Sequence, residues 1–290
     1  MTSQAPKPSK RKKRKSDAFL IVAIVILFLI GAGLMIYPDV ASWQASRSHA
    51  GIIQVYHEEV ADIAEDAIAE HFERARHYNA SLVGSHIEDP FVQGSGQVLP
   101  SDYYEILNVN GAMGAIEIPA IDIQIPIFHG TGEAVLMRGV GHIPNTPFPI
   151  GQLGKHAVLT GHTGIPSSRL FTDLELLNLD DIFVVTVLDK RMMYRVDQIK
   201  VVLPHEISEL RNVADEDLIT LVTCTPYGIN SHRLLVRGRR IPYEEANVIA
   251  ENVEVLVQSF NWRILLVAGM SLVFIFIWLL YSIKSRRNQD

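Results

Sequence analysis

Cys224 is the only cysteine of the chain. It closes an apolar, strand-like run over residues 217–223 and precedes a turn, Thr225-Pro226-Tyr227-Gly228. A thiol with no disulfide partner in its own chain is either an inert core residue or a reactive group. Its place at the end of the run, the turn and the nearby basic residues favour the second reading. His232 and Arg233 follow eight and nine positions later. A neighbouring cation lowers a thiol pKa from about 8.5 into roughly the 3.5–7.5 range, and the thiolate is the nucleophile. In isolation Arg233 reads as a surface or salt-bridge residue. Beside a cysteine nucleophile its guanidinium can hold the thiolate and stabilise the oxyanion of a tetrahedral intermediate.

Such chemistry needs an acid–base partner, and the chain offers eleven histidines. His162 is the foremost candidate. It follows the strand-like residues 156–160 and is bracketed by Gly161 and Gly164, which allow a sharp turn and an accessible ring. His232 is the rival by closeness in sequence, although strand alternation would send His232 and Arg233 to opposite faces. His129, His142, His156 and His162 together suggest a metal cluster, but no His-Glu-x-x-His pair or cysteine-rich spacing supports one. No metal and no cofactor is expected. Carboxylate pairs suited to glycoside hydrolysis are not singled out by any spacing.

The elements that must hold these groups read mainly as strands. Ile121, Ile123, Ile125 and Ile127 alternate with Asp122, Gln124, Pro126 and Phe128, a period-two signal. Further strands are predicted at 103–109, 114–118, 156–161, 181–188, 192–203, 218–224 and 233–240, with a short helix at 170–177. Eight or so strands with irregular connections predict a closed or nearly closed β-barrel. Ahead of them, Ile53, Tyr56, Val60, Ile63, Ala67, Ile68, Phe72 and Ala75 recur at helical spacing, which predicts one amphipathic helix over 51–79. Between helix and strands, Gly84, Pro90, Gly94, Gly96 and Pro100 punctuate a long loop. It carries Asp89, Pro90 and Phe91, and Asp89 is suited to be the counter-ion of Arg233 when no substrate is bound.

Both ends point to a membrane. Seven Lys or Arg fall in the first seventeen residues, and an uncharged apolar run over 18–37 follows, long enough to cross a core of about 30 Å. A second uncharged run, within 261–283, has Trp262, Trp278 and Tyr281 near its edges and Lys284, Arg286 and Arg287 behind it. Basic flanks stay cytoplasmic, so both termini are predicted inside and the segment between them outside. Cleavage after residues 40–43 is the alternative to an uncleaved anchor. The net charge of −6 hides basic tails and an acidic outer region. The one dense basic cluster is explained by membrane orientation, so no nucleic acid partner is expected.

At these residues the chain resembles a sortase of the class C, pilus-assembling group of Gram-positive bacteria. Residues 220–238, with Cys224 and Arg233, resemble the family's Cys-to-Arg signature. Thr160-Gly161-His162-Thr163-Gly164 resembles its histidine motif, and Asp89-Pro90-Phe91 its lid. Two membrane segments also fit this class. Thr163 stands where many members carry arginine, and Phe91 where relatives often have tryptophan, which keeps an aromatic plug. The resemblance implies an eight-stranded sortase-type β-barrel with an N-terminal amphipathic helix and lid loop, flanked by two transmembrane helices. It implies that Cys224 attacks the Thr–Gly bond of an LPXTG-like sorting signal on a pilin. His162 then protonates the leaving amine, Arg233 supports substrate and oxyanion, and a pilin lysine resolves the thioester into an isopeptide bond. Asp89, Pro90 and Phe91 would form a lid over the thiol.

The implied organisation is a basic tail at 1–17, a span at 18–37, a helical region with lid loop at 38–101 and a catalytic barrel at 102–245. A linker at 246–260, a second span at 261–283 and a tail at 284–290 complete it. The expected partners are pilin subunits, an acceptor lysine and the lipid bilayer. Three alternatives remain: a housekeeping sortase that uses a cell-wall amine, a cysteine hydrolase that uses water, and a binding module with a buried cysteine.

Overall fold

The structure is a computed structural model and describes residues 10–82, 89, 91, 100–206, 210–242 and 269. Except for Gly269, the second apolar run and the segments on either side of it lie outside the described residues, and so does Pro90. The chain divides into two units, Met1–Val40 with Gln258–Asp290, and Ala41–Val257.

In the first unit the described residues, Gly269 apart, belong to helix α1, Lys10–Asp62, which continues into the second. Among the described residues this is the one helix long and apolar enough to cross a membrane. Its apolar side chains, Leu27, Leu29 and Leu34 among them, are exposed, as a lipid-facing surface requires. Pro38 lies inside the helix.

In the second unit the single predicted helix over 51–79 is two. α1 ends at Asp62, Ala64 adopts an extended backbone, and α2 runs over Glu65–Ser81. Glu65 and Asp66 occupy its first turn, where negative charge complements the helix dipole. The break re-aims the apolar face, so that Ile53, Tyr56 and Val60 of α1 and Ala75 and Tyr78 of α2 are all buried. The buried Tyr56 hydroxyl donates to the Met113 carbonyl at 2.9 Å and accepts from the Leu188 N–H at 2.7 Å, which ties α1 to the ends of two neighbouring strands. The Asn79 side chain does the same for α2, accepting from the Phe148 N–H at 2.7 Å.

Eight strands close into a barrel: β1 Gly114–Ile118, β2 Ile123–His129, β3 Val140–His142, β4 Lys155–Thr160, β5 Ile182–Val187, β6 Lys190–Val202, β7 Asp217–Thr225 and β8 His232–Arg240. The order around the barrel is β1-β2-β3-β4-β7-β8-β6-β5. β2–β3 and β4–β7 pair in parallel and the other neighbours antiparallel. The interior is filled by Ile116, Ile125, Ile127, Leu159, Phe183, Val185, Tyr194, Ile219, Leu221 and Val236. Phe183 and Tyr194 stack at 5.4 Å between ring centroids. Gly238 of β8 makes room for them, because a Cβ there would lie 2.4 Å from the Phe183 ring.

The predicted strand at 103–109 is not one. Ile106 N–H bonds the Asp102 carbonyl at 3.2 Å, a helical contact, and Tyr103, Ile106 and Leu107 are buried at helical spacing. Seven residues sufficed for either period. Conversely, β3 escaped prediction because three residues, Val-Gly-His, carry no periodicity. The strand predicted from Ile121 starts at Ile123: Ile121 ends a 3-10 turn, Pro119–Ile121, and Asp122 turns the chain with φ of 51°. The short helix expected at 170–177 is a 3-10 turn, Thr172–Leu176.

Candidate active site

Strand register assembles the site. β7 and β8 are antiparallel neighbours in which Cys224 lies directly opposite Arg233. Facing residues of such a pair project to the same side of the sheet, so thiol and guanidinium share one face. The partner of His232 is Thr225, one step along. Strand alternation therefore sends His232 to the face opposite Arg233, and its Nδ1 engages the Ser231 hydroxyl at 2.9 Å.

β4 lies in parallel on the other side of β7. Thr160 is in register with Val222, and the Gly161 N–H bonds the Val222 carbonyl at 3.1 Å. The Thr223 hydroxyl donates to the Gly161 carbonyl at 2.8 Å. His162, the next residue, thus leaves its strand at the level of Cys224. Its own carbonyl accepts from the Phe171 N–H at 3.1 Å, which fixes the turn. The two glycines act differently from one another. Gly161 admits the Phe171 ring, which a Cβ would approach to 2.9 Å, whereas Gly164 takes the left-handed conformation, φ 75°. His162 is 18% exposed; its ring lies 5.7 Å from that of Phe91, and Nε2 is 3.4 Å from the Glu133 carboxylate.

Asp89 and Phe91 reach this face from the long loop. The Arg233 Nε and Nη2 nitrogens each approach Asp89 Oδ2 at 3.0 Å, and Nε also approaches Oδ1 at 3.2 Å. The two side chains are 9% and 7% exposed, so water competes little for the pair. Arg233 Nη1 donates to the carbonyls of Asn230 and His232. The Phe91 ring stacks over the guanidinium at 5.0 Å. It also packs with Val202 on an apolar patch of Ile143, Val158, Leu210, Val222 and Leu235. The Phe91 N–H bonds Asp89 Oδ1 at 2.9 Å, which couples the two residues.

Cys224 is half-buried. Burial pushes its thiol up; Arg233 pulls it down and Asp89 pushes it up again. Arg233 pulls the thiol down as expected from the sequence, but burial, the larger influence, outweighs it. The resting site is partly desolvated and the guanidinium already faces a carboxylate, so the neutral thiol is favoured.

The remaining histidines of the suggested cluster do other work. His142 is fully buried, with Nδ1 against the Tyr103 hydroxyl at 2.9 Å and Nε2 against the Pro147 carbonyl at 2.9 Å. His129 bonds the Ile106 carbonyl, and His156 bonds the Thr220 hydroxyl and the Arg211 carbonyl. Burial lowers their pKa values to about 4 for His129, about 3 for His142 and about 4 for His156, so all three are neutral core residues at pH 7. Among the described residues no group of three His, Cys, Asp or Glu is arranged to hold a metal ion. Glu133, on the one-turn helix α3, Glu133–Leu136, went unnoticed in the sequence. Nothing in the run Thr131-Gly132-Glu133 signals a contact with a residue 29 positions later.

A Sortase domain family model matches residues 116–241. Sortase C of Streptococcus pneumoniae is 41% identical, over 67% of this chain and 97% of that one, with a TM-score of 0.62. Sortase C1 of Streptococcus agalactiae is 43% identical, over 66% and 98%, again with a TM-score of 0.62. Among curated relatives, Sortase A of Streptococcus agalactiae serotype III is 26% identical over 225 residues, 74% of this chain and 83% of its own. With the barrel order and the facing of Cys224 and Arg233, this likeness assigns the chain to the sortase family, in its class C group.

Proposed function

We propose that the protein is a membrane-anchored cysteine transpeptidase that polymerises pilins. The observation that carries this reading is the register match of Cys224 with Arg233, with His162 brought level by the Gly161–Val222 bond. The likeness to the sortase C proteins, one of which is described for its pilin substrate specificity, supplies the substrate class.

Cys224, its thiol proton passed to His162, attacks through Sγ the threonine carbonyl carbon of an LPXTG-like signal. Arg233, released from Asp89, faces the developing oxyanion. The Thr–Gly C–N bond breaks, and His162 gives its proton to the departing amine. A pilin lysine amine then attacks the thioester carbonyl, loses its proton to His162, forms the isopeptide bond and expels the Cys224 thiolate, which the imidazolium can reprotonate. Two acyl transfers through a covalent enzyme replace one difficult exchange. The helix α1 is the anchor. Residues 261–283 are a second span by their hydropathy and basic flank, which places both termini in the cytoplasm and the barrel outside.

Incubation of the full-length enzyme in detergent with an LPXTG-type peptide tests this reading by intact-protein mass spectrometry. The expected result is a thioester adduct that a pilin lysine amine discharges into an isopeptide. Discharge by a cell-wall peptide amine in preference to the lysine would favour the housekeeping reading. Discharge by water alone would make the enzyme a hydrolase.

In the same reading Asp89 and Phe91 form a lid over the resting site. Asp89→Ala is expected to raise the rate of Cys224 alkylation by iodoacetamide at pH 7.5 severalfold. It removes both the anchor of Phe91 and the carboxylate that pushes the thiol up. An unchanged alkylation rate would leave the loop without a gating role.

A further inference from the structure

Nε2 of His162 is shut off from solvent and has no hydrogen-bond partner among the described residues. Glu133 Oε2 faces it at 3.4 Å, within ion-pair distance but short of hydrogen-bond alignment. The Glu133 side chain is 66% exposed and sits on a one-turn helix between β2 and β3. A carboxylate can therefore reach the buried nitrogen from solvent without rearranging the core. A buried ring nitrogen without a partner is costly, and a protonated one more so.

We infer that Glu133 is a positioning residue for the acid of this enzyme: its carboxylate orients the His162 ring through Nε2 and balances the charge of the protonated imidazole. Nδ1 is then the nitrogen left to exchange its proton with the leaving and incoming amines. This inference rests on the acid role proposed for His162.

The other charged and titratable groups around the ring do not fill this place. From the loop, Asp89 is bound to Arg233 of β8, and the Phe91 ring is what touches His162. From β7 comes the thiol of Cys224. From the segment that bonds the His162 carbonyl, Arg169 and Asp173 are paired with one another. Among the described residues, Glu133 is the anion left facing the ring.

The signature lies in the pH profile. The reactive form carries a proton on the imidazole and none on the thiol. An imidazole titrates below a thiol, and this thiol is pushed up. The acidic limb of kcat/KM therefore reports the imidazole, and the plateau reports the minor population with the proton on the ring. Loss of Glu133 makes the protonated imidazole less favourable. The acidic limb then moves to lower pH and the plateau falls by the matching factor, tenfold per pH unit. Below the limb, where the imidazole is protonated in either enzyme, the rates coincide.

The experiment measures kcat/KM for a sorting-signal peptide from about pH 5 to 10 with full-length enzyme in detergent. It compares wild type, Glu133→Gln, Glu133→Asp and His162→Ala, with thermal melts as the folding control. The expected result for Glu133→Gln is a plateau lower by about two- to fivefold, as for a partly exposed pair. The acidic limb shifts with it, KM for the peptide is unchanged, and Glu133→Asp recovers most of the loss. A Glu133→Gln limb that superimposes on wild type, whatever the rate, would overturn the inference while the function stands. A fall in rate uniform across pH would do the same. Activity retained in His162→Ala would instead overturn the acid role itself.

Discussion

Cys224→Ala is expected to give no covalent adduct with the sorting-signal peptide and a turnover at least roughly 10³-fold below wild type. The effect is this large because the thioester has no other atom to form on: Cys224 is the only thiol of the chain. The position also makes the experiment clean. Cys224 lies at the end of β7, half-buried, outside the packed interior that Ile219 and Leu221 supply. Removal of one sulfur there leaves the β7–β8 register and the Asp89–Arg233 pair in place. The melting temperature is expected to change by no more than about 2–3 °C. Intact mass and peptide cleavage report the chemistry and a thermal melt reports the fold. A Cys224→Ala protein that still cleaved the peptide would sink the mechanism.

Arg233→Ala is expected to lower kcat/KM by roughly 10²–10³, the usual consequence of removing one donor to a developing oxyanion. Arg233→Lys is expected to restore little of it. The arginine uses its planar fork, with Nε and Nη2 turned to Asp89 and Nη1 held by the Asn230 and His232 carbonyls. An ammonium cannot make these contacts from one point. The substitution also strips a buried carboxylate of its partner. Breaking such a pair costs about 3–5 kcal/mol where the orphan must stay buried, but Asp89 lies outside the barrel strands. The expected outcome is therefore loss of the Asp89 contact rather than unfolding of the barrel. Alkylation of Cys224 with a neutral reagent should persist in Arg233→Ala while peptide turnover collapses. Turnover within tenfold of wild type would remove Arg233 from the chemistry.

His162, Cys224 and Arg233 were legible in the sequence because each sits at the boundary of a strand whose residues announce it. The preference for His162 over His232 came from the glycines that bracket it, and alternation along β8 separates His232 from Arg233. Charge and hydropathy at the N-terminus marked the apolar helix, because an uncharged apolar run of that length behind a basic cluster is legible without any tertiary contact. Where periodicity is short, the sequence was mute or misleading. Residues 103–109 fit two periods, β3 fits none, and the break between α1 and α2 follows from the surface the helices must cover.

Two matters belong to the tertiary structure alone. The state of the Cys224 thiol is one. Arg233 is visible in the sequence as an activating cation and Asp89 as its counter-ion, but burial of the thiol, the largest influence, outweighs the cation, and burial is a property of the folded barrel. The contact of Glu133 with His162 is the other. It arises because β3 pairs in parallel with β2 and antiparallel with β4, bringing a connection near residue 133 to the end of the strand that carries His162. Propensity and pattern act over a few residues. Desolvation and Coulomb attraction act through space, between groups that only the closed barrel makes neighbours.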